Sequence, residues 1–144
     1  MIKNYVLYLT LVFLICTCTS KHKFHKQNIS LLDEIIGEHD AIMEKMPTIT
    51  SLKTSISKMN NSDSLFVDTL DKLEQSYTAM MNFMKNFSEE FPYNSYPMNR
   101  KLDNEDEEYL KNINNRLEIQ KKEILQVDKL FDSSIEIAEK LVQK

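Results

Sequence analysis

The sequence predicts an all-α fold, an antiparallel three-helix bundle with coiled-coil-like heptads, preceded by a cleaved signal and a flexible tether. Three observations lead there. One glycine and three prolines in 144 residues leave little of the chemistry that tight hairpin turns require. Lys, Glu, Leu and Met, which lose little freedom in a helix, are abundant. Apolar residues recur at spacings of three and four rather than at every second position, the period of a helix and not of a strand. With 42% hydrophobic residues, a chain of this length supports one domain with a modest core.

At the N-terminus, Lys3 precedes an apolar run of eleven residues at 5–15, which closes on Cys16-Thr17-Cys18-Thr19-Ser20. The run is about half the 20 residues that span a bilayer, and it matches the charged and apolar regions of a secretory signal. A cysteine in a small-residue setting after such a run resembles a bacterial lipoprotein signal, in which that cysteine is acylated and becomes the first residue. Ile15-Cys16-Thr17-Cys18 fits better than Phe13-Leu14-Ile15-Cys16, because it has a branched aliphatic residue three before the cysteine and a small residue directly before it. Cys18 is therefore the expected lipidation site, with Cys16 the runner-up. Domain boundaries follow: signal 1–17, lipidated cysteine and basic tether 18–28, helical body 29–144. Thr19 after the cysteine, rather than aspartate, points to an outer-membrane lipoprotein by the same resemblance. Lipoproteins exported to the cell surface are usually acidic just after the cysteine, whereas Lys21-His22-Lys23-Phe24-His25-Lys26 is basic, so the resemblance implies the periplasmic leaflet. That stretch reads as a solvated tether, with His22 and His25 a possible metal pair and its lysines a possible contact for anionic headgroups.

The first helix is expected over about 29–59. Ile29, Leu32, Ile36, His39, Met43 and Met46 alternate spacings of three and four, with Leu31, Ile35 and Ile42 widening the stripe. Ser30 and Asp33 have the spacing of a capping box. Pro47 lacks a donor and disfavours a helix interior, yet Ile49, Leu52, Ile56 and Met59 continue the stripe, which favours one kinked helix over two. Asn60-Asn61-Ser62-Asp63 forms a turn, with Asp63 or Ser64 capping the second helix, about 64–87. Its heptad reads Phe66, Leu70, Leu73, Tyr77, Met80, Met84, Phe87. The prolines of 90–98 exclude a helix there, and Phe91, Tyr93, Tyr96 and Met98 call for an ordered loop that closes one end of the bundle. The last helix, about 103–143, starts near Asp103 or Asn104 with acidic residues in its first turn, where the helix dipole favours them. Its stripe is Leu110, Ile113, Leu117, Gln120, Ile124, Val127, Phe131, Ser134, Ala138 and Leu141. At about 60 Å it would outrun the second helix, at about 36 Å, leaving an overhang that is solvated or forms a homo-dimer.

The net charge of −4, with no basic stripe in the helical part, argues against nucleic acid as a partner. No cysteine follows Cys18, so the body has neither a disulfide nor a cysteine metal site. No Ser/His/Asp set, HExxH motif or phosphate loop is present, so a non-enzymatic role is expected. Folding the first two helices back about 60–63 pairs positions whose numbers sum to about 123. His39 then faces Met84, Met43 faces Met80, and Met46 faces Tyr77. An imidazole and three thioethers in one buried layer, His39, Met43, Met80 and Met84, would suit Cu(I) or Ag(I). The commoner reading is plain packing, since methionine is an adaptable core filler. Asp40, next to His39, is a poor orienter of it, because consecutive helical residues diverge by about 100°.

The lipoprotein signal, then His39-Asp40 with Met43, Lys45 and Met46, then Met80-Met81, Phe83-Met84-Lys85 and Phe87 and a long charged final helix, resembles the small Bacteroidota lipoproteins often labelled "viral A-type inclusion protein". The resemblance covers nearly the whole chain and implies a small helical envelope lipoprotein of unknown function. The expected role is a bundle that presents a surface to an envelope protein partner or, alternatively, binds a soft metal or small ligand. The chain departs from that pattern at Pro47, where glycine is common, and at Phe83, where tryptophan is common.

Overall fold

The computed structural model describes residues 2–59, 63–103 and 105–143, with side chains described from residue 22 onward. Three helices, α1 (Ile2–Lys58), α2 (Ser64–Glu90) and α3 (Glu107–Val142), make up most of the described chain, and the described residues contain no strand. The all-α three-helix fold is as the sequence predicts. The chain divides into two compact units, Met1–Asp33 with Phe91–Ile119, and Glu34–Glu90 with Gln120–Lys144.

In the larger unit the helices run up, down and up. Lys121 pairs with Glu34 and Lys45 with Asp132, so α3 runs parallel to α1 at an offset of about 87. Ser76 meets Ser134, and Gln120 donates to Glu90, so α2 runs antiparallel to α3 with positions that sum to about 210. Together the two registers set α1 against α2 at a sum of about 123, the level expected from the turn. Residues 60–62 of that turn lie outside the described residues. Asp63 is the cap of α2: its side-chain Oδ1 accepts from Leu65 N, and its carbonyl accepts from Phe66 N.

The core is narrower than the stripes suggested. On α1 the fully buried line is Ile35, Ile42, Ile49 and Ile56, one every seven residues, while His39 and Met46 lie at its margin and Met43 is exposed. Sterically stiff isoleucine packs well at one repeated seam position, so it takes the centre and the unbranched methionines stand aside. On α2 the buried set is Thr69, Leu73, Ser76, Met80, Phe83 and Phe87. Phe66, Leu70 and Met84 are half-buried and Tyr77 is exposed, so the face is rotated from the expected heptad. The rotation follows the Ser76–Ser134 contact, where two small hydroxyls bond to each other and Ser76 also donates to the Leu130 carbonyl. All ten α3 positions of the expected stripe are buried.

The smaller unit corrects the reading at both ends of the body. Residues 22–28, expected as a tether, are helical and continuous with the rest of α1. Asn28 is fully buried, donating to Tyr96 OH at 3.1 Å and to the Leu110 carbonyl at 2.9 Å, and accepting from Asn114 at 2.9 Å. These bonds hold the extra turns of α1 against the first half of α3. That half of α3 is therefore packed within the chain, which removes the overhang that suggested a homo-dimer. Ser30 and Asp33 do not start a helix. They lie inside α1, where Asp33 pairs with Arg100. Helix α3 starts at Glu107, later than expected, capped by Asp106, whose Oδ1 accepts from Tyr109 N at 2.7 Å. In the loop at 91–106, Phe91 and Tyr96 are buried as expected, but Tyr93 is 80% exposed.

Pro47 does not split α1, which remains one helix through it. Gly37 is exposed, and a Cβ built there meets nothing within 4 Å. Gly37→Ala should therefore stabilise the fold by about 1 kcal/mol, the intrinsic helix preference of alanine. Urea unfolding would show this as a higher midpoint at an unchanged m-value.

Candidate functional site

Two places in the molecule combine polar chemistry with a fixed geometry. The first, in the smaller unit, is a polar knot around Tyr96. Asn28 uses both amide hydrogens, one on Tyr96 and one on the Leu110 carbonyl. The Tyr96 oxygen therefore accepts from Asn28, which leaves its own hydrogen for His25 Nδ1 at 3.2 Å. Burial pushes the Tyr96 phenol above its ordinary pKa, with the Asn28 bond opposing and Glu105 and Tyr109 adding to the rise. Arg116 sits 5.0 Å from the centre of the Phe91 ring. On the rim, Arg100 adopts φ 57° and grips Asp33 with both terminal nitrogens, and that bond holds the Asp33 carboxyl below its ordinary range. The knot is a clasp that joins helix to loop. His25, considered above as half of a metal pair with His22, is engaged by Tyr96, while His22 is exposed.

The second place is the edge of the α1–α2 groove in the larger unit. Three heptad lines of α1 have separate jobs. The central isoleucine line is buried. Lys45, on one flank, reaches α3 and bonds Asp128 at 2.7 Å and Asp132 at 2.5 Å. Burial lowers the pKa of that ammonium, but its two carboxylate partners outweigh burial and hold it above the ordinary value. Lys53, on the other flank, reaches α2, pairing with Glu74 and lying 6.0 Å from the Tyr77 ring centre. His39 and Met46 occupy the same line as Lys53, at intervals of seven, and so lie on the α2 side of α1. Tyr77 and Met84 share the corresponding line of α2.

This geometry corrects the expected site of His39, Met43, Met80 and Met84. They do not share one buried layer: Met80 is 1% exposed, Met43 is 43% exposed, and Met84 is half-buried. His39 is a groove-edge residue with its side chain 25% exposed, not a core residue. Its Nδ1 lies 2.9 Å from Asp40 Oδ1, so Asp40 does orient the ring, contrary to expectation. A partly exposed imidazole can swing out of the helical wheel far enough to meet its chain neighbour. Cys16 and Cys18 fall within the backbone span of α1, but their side chains lie outside the described residues. Among the described residues, no group of three or more His, Cys, Asp and Glu side chains is placed to hold a metal ion.

No known family, curated protein or solved structure matches the chain. Asn28 is the structural residue that periodicity missed, and a signal for it was present. It stands seven residues before Ile35 and opens the line Ile35, Ile42, Ile49, Ile56, the setting in which a single polar seam residue fixes register.

Proposed function

We propose that this protein is a non-enzymatic lipoprotein of the bacterial envelope, acylated on Cys18 at the outer membrane, whose periplasm-facing helical body docks an envelope protein. The observation that carries the reading is the N-terminal pattern: Lys3, the apolar run 5–15, and Cys18 after Thr17 in a small-residue setting. Several acyl chains on one cysteine hold a protein to a bilayer far more firmly than one. Among the described residues, no helix is long and apolar enough to cross a membrane. Exposed Leu65, Val67, Ile119, Leu130 and Tyr93 offer the body apolar anchor points of the type that protein contacts use.

Cys18→Ser should move the protein from the membrane to the soluble fraction and abolish the mass increment of acylation, while Cys16→Ser should leave both unchanged. If the Cys18 variant still fractionates with membranes and carries the wild-type modification, the anchor is assigned to the wrong residue. The docking part is tested separately by crosslinking the lipidated protein in intact cells. Recovery of an envelope protein, lost when Ile119 and Leu130 are both changed to Lys, supports it, and recovery of none counts against it.

A further inference from the structure

We propose that the edge of the α1–α2 groove is a surface site for a soft monovalent ion, Cu(I) or Ag(I), with His39 Nε2 and the thioethers of Met43 and Met84 as ligands and Met81 beside them. The site keeps His39, Met43 and Met84 of the expected set, leaves out buried Met80 in favour of exposed Met81, and lies at the surface rather than in a buried layer.

Four observations meet here. His39 stands on the α1 line that faces α2, as Lys53 shows by reaching Glu74 and Tyr77. Met84 stands on the matching line of α2 with Tyr77, and the 123 register puts it level with His39. Met43 lies one helical turn from His39 and Met81 one turn from Met84, and both are turned outward, at 43% and 50% exposure. Exposed methionines at neighbouring levels of two facing helices leave apolar surface in water, a cost that core packing does not explain, since Met80 is the one buried methionine beside Ile42 there.

The fourth observation concerns the imidazole. A carboxylate can only accept, so in the 2.9 Å contact with Asp40 the hydrogen sits on His39 Nδ1. In the neutral ring Nε2 then carries a free lone pair, and a ligating histidine is commonly fixed in this way by a carboxylate on its other nitrogen. Thioethers select Cu(I) among the common ions, and one nitrogen with two or three thioether sulfurs is a donor set that hard divalent cations do not favour.

The test uses the full chain carrying Cys16→Ser and Cys18→Ser in detergent, so that no thiol competes. Ag(I), and Cu(I) under reducing conditions, are titrated against a chromophoric chelator, and stoichiometry is read by native mass spectrometry. One ion per chain is expected, with the methyl resonances of Met43 and Met84 shifting together. His39→Ala and Met84→Leu should each weaken binding about tenfold or more, with helicity unchanged by circular dichroism. Met80→Leu, which keeps the core volume, should leave the affinity unchanged. Absence of a stoichiometric ion, binding indifferent to His39→Ala and Met84→Leu, or a loss in Met80→Leu as large as in Met84→Leu would each overturn the site.

Discussion

Asn28→Ala is expected to lower the stability of the protein by about 3 kcal/mol, the largest loss we anticipate from a single polar side chain. Asn28 is fully buried and makes three hydrogen bonds, to Tyr96, Leu110 and Asn114. A hydrogen bond contributes only about 1 kcal/mol net, but a buried group left without its partner costs about 1–3 kcal/mol. Removing Asn28 takes the acceptor from the part-buried Asn114 amide, strips the buried Tyr96 hydroxyl of a donor and leaves the Leu110 carbonyl without this bond. Asn28→Asp should cost more than alanine, because a carboxylate cannot donate and would face the Leu110 carbonyl. Asn28→Ala and Tyr96→Phe should be strongly non-additive, since they share one bond. Urea unfolding gives the magnitudes, and hydrogen exchange should localise the lost protection to residues 22–33 and 91–119. Additive losses, or a loss below about 1 kcal/mol, would show that the knot is not what holds the start of the body.

Pro47→Ala is expected to act in the opposite direction, stabilising by about 2 kcal/mol. Pro47 lies inside α1 on its exposed side, so its ring packs no core. Its missing N–H leaves the Met43 carbonyl without the usual helical donor, and proline in a helix interior costs about 3 kcal/mol relative to alanine. Part of that is offset because proline also restrains the unfolded chain, by roughly 0.4–1 kcal/mol. The Thr50 hydroxyl donates to the Met46 carbonyl and that of Thr54 to the Thr50 carbonyl, a pattern that accompanies bent helices. Restoring the Met43 carbonyl's helical donor changes the turn that carries Met43. Pro47→Ala therefore also reports on the groove: its midpoint in urea should rise, and any Ag(I) affinity should change although no ligand has been altered. A midpoint that falls would mean that the proline contributes to packing.

How much of this could be read from the sequence differs from helix to helix. The buried face of helix α3 is fully legible, though not its start, because each of its buried positions follows one stripe and the two polar interruptions, Gln120 and Ser134, have partners in Glu90 and Ser76. Helix α1 is not, because its apolar residues satisfy two overlapping stripes at three- and four-residue spacings. The Ile35, Ile42, Ile49, Ile56 line and the His39, Met46 line differ by about 40° of rotation, an angle that periodicity does not resolve. The same limit hid the start of the body. Lys, His and Gln at 22–28 are as compatible with helix as with tether, and only the contacts of Asn28 with α3 and the loop decide between them.

The sequence by itself determined the fold class, the order of the helices, a cap at Asp63 or Ser64 and the common level of His39 and Met84, because spacing along a helix and the position of a turn are local properties. The tertiary structure alone decided the rotation of α1 and α2, which buries Met80 and leaves Met43, Met81 and the Asp40-bound His39 at the surface. Rotation is set by which side chains fit a shared seam. Isoleucine against isoleucine spacing on α1, and serine against serine between α2 and α3, fit it better than the methionines do.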